Sequence, residues 1–136
     1  MQQIQTVKGQ CLCTAVKLQA RVEKHMDACH CGMCRRWGGG PLLVTHAVEV
    51  VFEGEDAISN YASSDWAQRG FCRHCGTHLY YKLLSGEGYE VPVGLFVGDV
   101  EFEFVKEIFI DRKPDWYDFA NETTRQTEEE VFAQFS

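Results

Sequence analysis

The sequence has no long apolar run and no excess of positive charge. None of its apolar stretches approaches the roughly 18 residues of a membrane-spanning helix, and residues 1–4 do not begin a secretory signal. Its 13 Lys and Arg residues are outnumbered by 20 Asp and Glu residues, which gives a formal net charge of −7. Nucleic-acid binding would require a basic surface. We therefore expect a cytoplasmic protein that binds neither membranes nor nucleic acid.

Internal repeats, low-complexity tracts and long linkers are also missing from the 136 residues. A chain of this length can bury one hydrophobic core, and 45% of its residues are hydrophobic. Short stretches of alternating or continuous apolar residues, separated by Gly, Asp, Asn or Ser, indicate strands. The predicted strands are residues 4–7, 15–22, 42–45, 48–52, 79–81, 90–93 and 107–110. We predict one mostly β, mostly antiparallel domain over residues 1–136.

Helical periodicity is evident only near the C-terminus. Thr127 can cap a helix that begins with three glutamates, Glu128 to Glu130. Val131, Phe132 and Phe135 then fall on one side of it. We predict a single short C-terminal helix.

Seven cysteines form three groups in the sequence. The groups are Cys11 and Cys13; Cys29, Cys31 and Cys34; and Cys72 and Cys75. In a reducing compartment, so many cysteines indicate metal ligands or reactive thiols rather than disulfides. A tetrahedral zinc ion takes four soft ligands. Seven thiols can therefore fill one zinc site and leave a second with three protein ligands.

The segment from Phe71 to Thr77 decides which cysteines share a site. It looks like a zinc knuckle, because Gly76 follows the second cysteine and permits a positive φ. A knuckle needs a second pair of ligands from a distant part of the chain. We predict two zinc ions. The first is structural and is held by Cys11, Cys13, Cys72 and Cys75. The second is catalytic and is held by Cys29, Cys31 and Cys34 in an open site, which can also be without its ion. The alternatives are ligands shared between sites, one metal beside redox-active thiols, and no metal at all.

Four segments together resemble a known family. They are Gly9-Gln10-Cys11-Leu12-Cys13-Thr14-Ala15-Val16, Cys29-His30-Cys31-Gly32-Met33-Cys34-Arg35, Phe71-Cys72-Arg73-His74-Cys75-Gly76-Thr77-His78-Leu79 and Ile108-Phe109-Ile110-Asp111-Arg112-Lys113-Pro114-Asp115-Trp116-Tyr117. Over residues 5–120 the chain is similar to the glutathione-dependent formaldehyde-activating enzymes, also called the centromere protein V domain family. One departure is Glu107, where many members look to have His.

The resemblance implies a zinc-centred fold of coiled antiparallel β-sheets, similar to that of the methionine sulfoxide reductase B group. It implies the same division of the cysteines. It also implies a carbon–sulfur lyase like S-(hydroxymethyl)glutathione synthase, which joins glutathione to formaldehyde.

The chemistry of a three-thiolate site agrees with this activity. Zinc with three thiolates carries a net charge of −1, which makes it a weak Lewis acid for producing hydroxide. Such a site suits a fourth thiol, because coordination ionises a group whose free pKa is about 8.5. We expect glutathione to add reversibly to formaldehyde or a related small aldehyde. The alternatives are a non-catalytic thiol-binding module and a structural protein, although the latter usually has a long basic extension. The oligomeric state is left open.

Three residues beside the middle cysteines are candidates for substrate binding. Arg35 can pair with a glutathione carboxylate, or it can be a solvated surface charge. His30 lies between two cysteines and can face the substrate or the solvent. Trp37 precedes three glycines, so this stretch forms either a flexible lip over the substrate or an ordinary turn.

Overall fold

The computed structural model describes residues 3–135. Residues 1 and 2, which belong to the segment considered for a secretory signal, and Ser136 lie outside the described residues. Ten strands and two helices make up most of the described chain. The strands are β1 (Ile4–Gln10), β2 (Lys17–Glu23), β3 (His25–Cys29), β4 (Leu42–Glu53), β5 (Ile58–Tyr61), β6 (Ala67–Cys72), β7 (His78–Leu83), β8 (Tyr89–Pro92), β9 (Glu103–Ile108) and β10 (Thr124–Gln126), and the helices are α1 (Gly32–Gly38) and α2 (Glu128–Ala133). The mostly β class is confirmed. No described helix is long and apolar enough to cross a membrane.

The long strand β4 organises the sheet. The strand order is β10-β9-β3-β4-β8-β7-β6-β5, with β2 also paired to β4 and β1 paired to β2. The first part of β4 pairs with β3 and β8, and its second part pairs with β2. The sequence predicted two strands here, at residues 42–45 and 48–52. They are one strand of 12 residues, because its three partner strands hydrogen-bond along its whole length.

The sheet is mixed but mostly antiparallel, as the sequence predicted, whereas the antiparallel sheets implied by the resemblance leave out two parallel strand pairs among the described residues. Strand β9 runs parallel to β3 on one side and to β10 on the other. Parallel neighbours need a long connection instead of a hairpin, and long segments do separate these strands along the chain. The remaining pairs are antiparallel. Similarity to the methionine sulfoxide reductase B group stays a prediction.

Alternating side chains build the core. In β2, Leu18, Ala20 and Val22 are buried and their neighbours point outward, as expected for a strand with one buried face. The core also contains Cys11 and Cys72, two members of the predicted structural site. Two of the four cysteines in this group are therefore anchored in the packed interior.

Helix α1 contradicts the expectation that only the C-terminus is helical. It has seven residues, too few to show a 3.6-residue periodicity. The Cys31 Sγ caps it by accepting from the Cys34 backbone N–H, and Gly39 ends it with φ 85°. By contrast, the predicted helix α2 is confirmed, with Thr127 and Glu130 forming a capping box.

Two predicted strands are shorter in the structure, one at its end and the other at its start. The strand predicted at residues 107–110 ends at Ile108, because Phe109 has a φ of 55° and Ile110 begins a 3-10 turn. The strand predicted at 15–22 begins at Lys17, after a turn in which Thr14 has a φ of 67°. Both residues lie in the left-handed region, which interrupts extended backbone.

Candidate metal centres and a neighbouring pocket

Four cysteines from two distant loops converge at the edge of the core. Cys11 and Cys13 follow β1, whereas Cys72 ends β6 and Cys75 lies in the turn after it. Their Sγ atoms all lie within 4.8 Å of one another. The turn depends on Gly76, whose φ is 80° and whose N–H donates to the Cys72 carbonyl at 2.7 Å.

The sulfur spacing in this group fits a metal ion. The distances Cys11 Sγ to Cys13 Sγ and Cys13 Sγ to Cys72 Sγ are both 3.7 Å. A disulfide requires about 2.05 Å. Tetrahedral zinc with zinc–sulfur bonds of about 2.3 Å separates its ligands by roughly 3.8 Å. The four thiols therefore have the donor chemistry of a closed zinc site, and these two sulfur–sulfur distances fit one.

The other three cysteines form a second group around the start of α1. Cys29 ends β3, Cys31 caps the helix and Cys34 lies in its first turn. Their Sγ atoms are within 4.8 Å of one another, and Cys29 and Cys34 are buried. Over residues 3–135, no His, Asp or Glu ligand atom joins either group. The grouping of the seven cysteines is that of the sequence analysis, and their roles as zinc ligands stay predictions.

A buried arginine lies against the second group. Arg69, on β6, is only 3% exposed, and its two terminal nitrogens are 3.7 and 3.6 Å from the Cys34 Sγ. Its guanidinium also faces the rings of Tyr81 and Trp37, at 4.9 and 5.8 Å from their centroids. No described carboxylate forms an ion pair with it. Because a buried cation needs an anionic partner, Arg69 favours thiolates in this group.

Crowding among the three sulfurs separates their proton affinities. Hydrogen bonds from the Cys29 and Cys34 thiols lower the pKa of Cys31. Hydrogen bonds with Cys31 and Cys34, together with burial, raise the pKa of Cys29. Within this cluster the thiolate form is therefore favoured at Cys31 and disfavoured at Cys29.

His30 and Glu107 form a buried pair behind the second group. Both side chains are fully buried, and the His30 Nε2 is 2.7 Å from the Glu107 Oε1. The other ring nitrogen of His30 is 2.6 Å from the Tyr117 hydroxyl, and Glu107 also accepts from the Thr123 hydroxyl. Of the two alternatives for His30, the one in which it faces the solvent is therefore wrong. Its substrate role stays a prediction, with both ring nitrogens already engaged.

Arg35 and Trp37 extend from α1. The Arg35 Nε donates to the His30 carbonyl at 3.1 Å, and its guanidinium forms no ion pair with a described carboxylate. Trp37 stacks on His78, with ring centroids 4.4 Å apart. The glycines after Trp37 end the helix, where the Gly39 N–H donates to the Arg35 carbonyl. Substrate binding by Arg35 and Trp37 stays a prediction.

An open aromatic pocket of about 380 Å³ lies next to Trp37. Its walls are almost entirely apolar, and its lining residues are Trp37, Tyr61, Phe71, Gly76 and His78. Burial, and then the nearby positive charge of Arg69, lower the pKa of His78. The imidazole is therefore neutral near pH 7, and the pocket carries no charge on this wall.

Sequence reasoning missed Arg69 and the partners of Glu107. One signal for Arg69 was available, a single charge between the small and apolar residues Ala67, Gly70 and Phe71 of a short strand. Glu107 stood out only as a departure from the family pattern. Its partners could not be found, since Thr123 lies in an irregular segment far along the chain.

The chain is similar to a family profile, to a fungal protein and to a bacterial crystal structure. The family profile described as glutathione-dependent formaldehyde-activating enzyme matches residues 6–112. A protein of Schizosaccharomyces pombe, named an uncharacterized lyase, is 40% identical over 128 residues, which cover 91% of this chain and 93% of that protein. A crystal structure of a Rhodobacter sphaeroides protein is similar at 27% identity with a TM-score of 0.60, over 68% of this chain and 89% of that one. The chain belongs to the glutathione-dependent formaldehyde-activating enzyme family.

Proposed function

We propose that this protein is a zinc-dependent carbon–sulfur lyase that reversibly adds glutathione to a small aldehyde, formaldehyde or a related one. The family description and the name of the S. pombe relative support this class of reaction. The three-cysteine group carries the proposal. Its sulfur atoms converge beside a buried guanidinium, and no fourth His, Asp, Glu or Cys ligand atom joins them among the residues that the structure describes.

The two cysteine groups have separate roles in this proposal. Cys11, Cys13, Cys72 and Cys75 would hold a structural zinc ion at the edge of the core. Cys29, Cys31 and Cys34 would hold the second ion and leave one side of it to the substrate. Zinc bound there would keep an incoming thiol ionised near neutral pH, where a free thiol with a pKa of about 8.5 is mostly protonated.

Arg69 supplies the charge that this group requires. A divalent ion with three thiolates has a net charge of −1, and the guanidinium beside Cys34 brings the total to zero. Addition of a fourth thiolate then gives a local charge of −1, whereas without the arginine it would give −2. Because the cation is buried, solvent screens its attraction only weakly.

Arg35 is the candidate for holding the peptide part of glutathione. Its Nε is fixed by the His30 carbonyl, whereas its terminal nitrogens have no described carboxylate partner. A guanidinium fixed at one end presents a fork that suits a carboxylate. Glutathione carries two carboxylates at neutral pH, so one of them can pair with Arg35.

The reaction balances without an oxidant or a reductant. The thiol sulfur forms a bond to the carbonyl carbon, and the π electron pair of the C=O bond moves to the oxygen. The proton lost by the thiol is delivered to that oxygen. The reverse reaction breaks the carbon–sulfur bond, as expected of a lyase.

Exchange spectroscopy by NMR tests the proposal at equilibrium. Zinc-loaded protein should increase the exchange rate between glutathione and its hydroxymethyl adduct above the spontaneous rate. Metal-free protein and Cys31→Ser should not. Saturable glutathione binding without any increase in rate would instead indicate a thiol-binding module.

A further inference from the structure

We propose that the aromatic pocket binds the substituent of the aldehyde, so that the preferred electrophile carries a ring or a similar apolar group. The inference rests on the proposed function, and it specifies which class of aldehyde would react at the three-cysteine group. The pocket lies between Trp37, Tyr61, Phe71, Gly76 and His78 and has a volume of about 380 Å³.

The size and lining of the pocket match an apolar group better than either partner of the family's named reaction. Ligand pockets typically measure about 300–1,000 Å³ and have mostly apolar and aromatic walls. Formaldehyde has a single carbon atom and would leave nearly all of this pocket unfilled. Glutathione is polar and carries two carboxylates, which suit Arg35 better than aromatic rings. A hydrocarbon ring would cover apolar surface such as that of Tyr61, which is 56% exposed.

The pocket adjoins the three-cysteine group. Trp37 follows Cys34 by three residues in α1, a spacing that places both side chains on one face of a helix. The Arg69 guanidinium bridges them, since it contacts the Cys34 Sγ and lies 5.8 Å from the Trp37 ring centroid. An aldehyde attacked by a sulfur held at this group can therefore rest its substituent against Trp37.

The orientation of the rings favours a planar guest. Trp37 and Tyr61 are within 12° of parallel with centroids 6.2 Å apart, and Trp37 and His78 are within 21° of parallel. Phe71 meets Trp37 edge-on at 5.8 Å. Offset-stacked and edge-to-face contacts are both favourable for a further aromatic ring.

Two aldehydes of different size test the assignment. The rate of reaction with glutathione is measured for 4-nitrobenzaldehyde and for formaldehyde, with zinc-loaded wild type, Tyr61→Ala and the control Phe135→Ala. Phe135 is also an exposed aromatic residue but does not line the pocket. We expect the ratio of kcat/KM values, ring-bearing aldehyde over formaldehyde, to fall by about three- to tenfold in Tyr61→Ala, as loss of an aromatic contact predicts. The ratio should stay unchanged in Phe135→Ala.

The ratio separates this inference from the proposed function. Both aldehydes use the same cysteine group, so a change in metal content alters both rates and leaves the ratio unchanged. No acceleration with either aldehyde would overturn the proposed function. Acceleration with an equal ratio in wild type and Tyr61→Ala would overturn only the pocket assignment.

Binding of benzyl alcohol gives a readout that needs no turnover. In zinc-loaded protein, the NMR signal of the Trp37 indole N–H, assigned with Trp37→Phe, should shift saturably as benzyl alcohol is added. The affinity should match wild type in Phe135→Ala and be lower in Tyr61→Ala. An unsaturable shift, or equal affinity in Tyr61→Ala, would contradict the inference.

Discussion

Arg69 places both terminal nitrogens of its guanidinium within 3.7 Å of the Cys34 Sγ. The side chain is 3% exposed and has no carboxylate partner among residues 3–135. Taking a charge out of water costs on the order of several kcal/mol unless an opposite charge compensates it. The cysteine group and the arginine therefore depend on each other, which leads to the first prediction.

Arg69→Met should weaken metal binding at the three-cysteine group. Loss of a residue that contacts a metal ligand typically lowers metal affinity by about 10- to 100-fold. Zinc content per chain, measured by mass spectrometry after dialysis against a weak chelator, should fall from close to two toward one. Arg21→Met is the control, because Arg21 is exposed on β2. Equal zinc content in Arg69→Met and wild type would show that the guanidinium does not support the group.

Substitutions in the two cysteine groups should have different consequences. Cys31→Ser should remove about one zinc ion per chain and leave the circular dichroism spectrum unchanged, because this group surrounds the start of a short helix and lies outside the main hydrophobic cluster. Cys75→Ser should prevent folding, because its group includes the core residues Cys11 and Cys72 and structural zinc is coupled to folding. Similar damage from both substitutions would contradict the division into a structural and an open site.

Glu107→Ala should destabilise the fold strongly. It would leave His30 without its 2.7 Å partner and would also remove the acceptor for Thr123. Breaking one half of a buried pair costs about 3–5 kcal/mol, which urea unfolding would measure. Glu103→Ala is the matched control, since Glu103 lies on the same strand but is 76% exposed in its ion pair with His25. We expect it to change stability by less than about 1 kcal/mol.

His46 should contribute a small, pH-dependent stabilisation. Its hydrogen bond with Glu90, at 2.9 Å, raises the pKa of His46 above 6.5. A raised histidine pKa gives stability that is fully present below the unfolded pKa of about 6.5 and is lost as the pH rises through the folded value. His46→Gln should therefore cost more at about pH 6 than at about pH 9. The side chain is 36% exposed, so solvent screening limits the effect to less than about 1 kcal/mol.

Urea unfolding at the two pH values measures this difference. Glu90→Gln serves as the partner control, because it removes the carboxylate charge that is hydrogen-bonded to His46. It should produce a similar loss near pH 6. A cost of His46→Gln that is identical at both pH values would refute the linkage.

The structure also shows which local patterns were sufficient for prediction. The capping box of α2 is formed by Thr127 and Glu130, three residues apart, and the turn at Gly76 has the positive φ that its position after Cys75 indicated. Both features depend on neighbours in sequence. Helix α1 was missed because its cap is a cysteine and its seven residues are too few to show periodicity.

The parallel strands illustrate what local patterns cannot show. Alternation of apolar residues indicates that a segment is extended but does not specify its neighbours. Strand β9 lies between β3 and β10, and its pairing with β3 joins segments that are far apart in the chain. Pairing direction is decided by how the whole chain packs, so it became visible only in the fold.

By itself, the sequence determined the family and the sorting of seven cysteines into a group of four and a group of three, because close spacing limits which thiols can share one ion. The tertiary structure alone decided what surrounds them. Arg69 meets Cys34 across 35 positions, and Glu107 meets His30 across 77. A buried charge is stable only where folding brings a partner to it, and sequence spacing carries no record of such a distant partner.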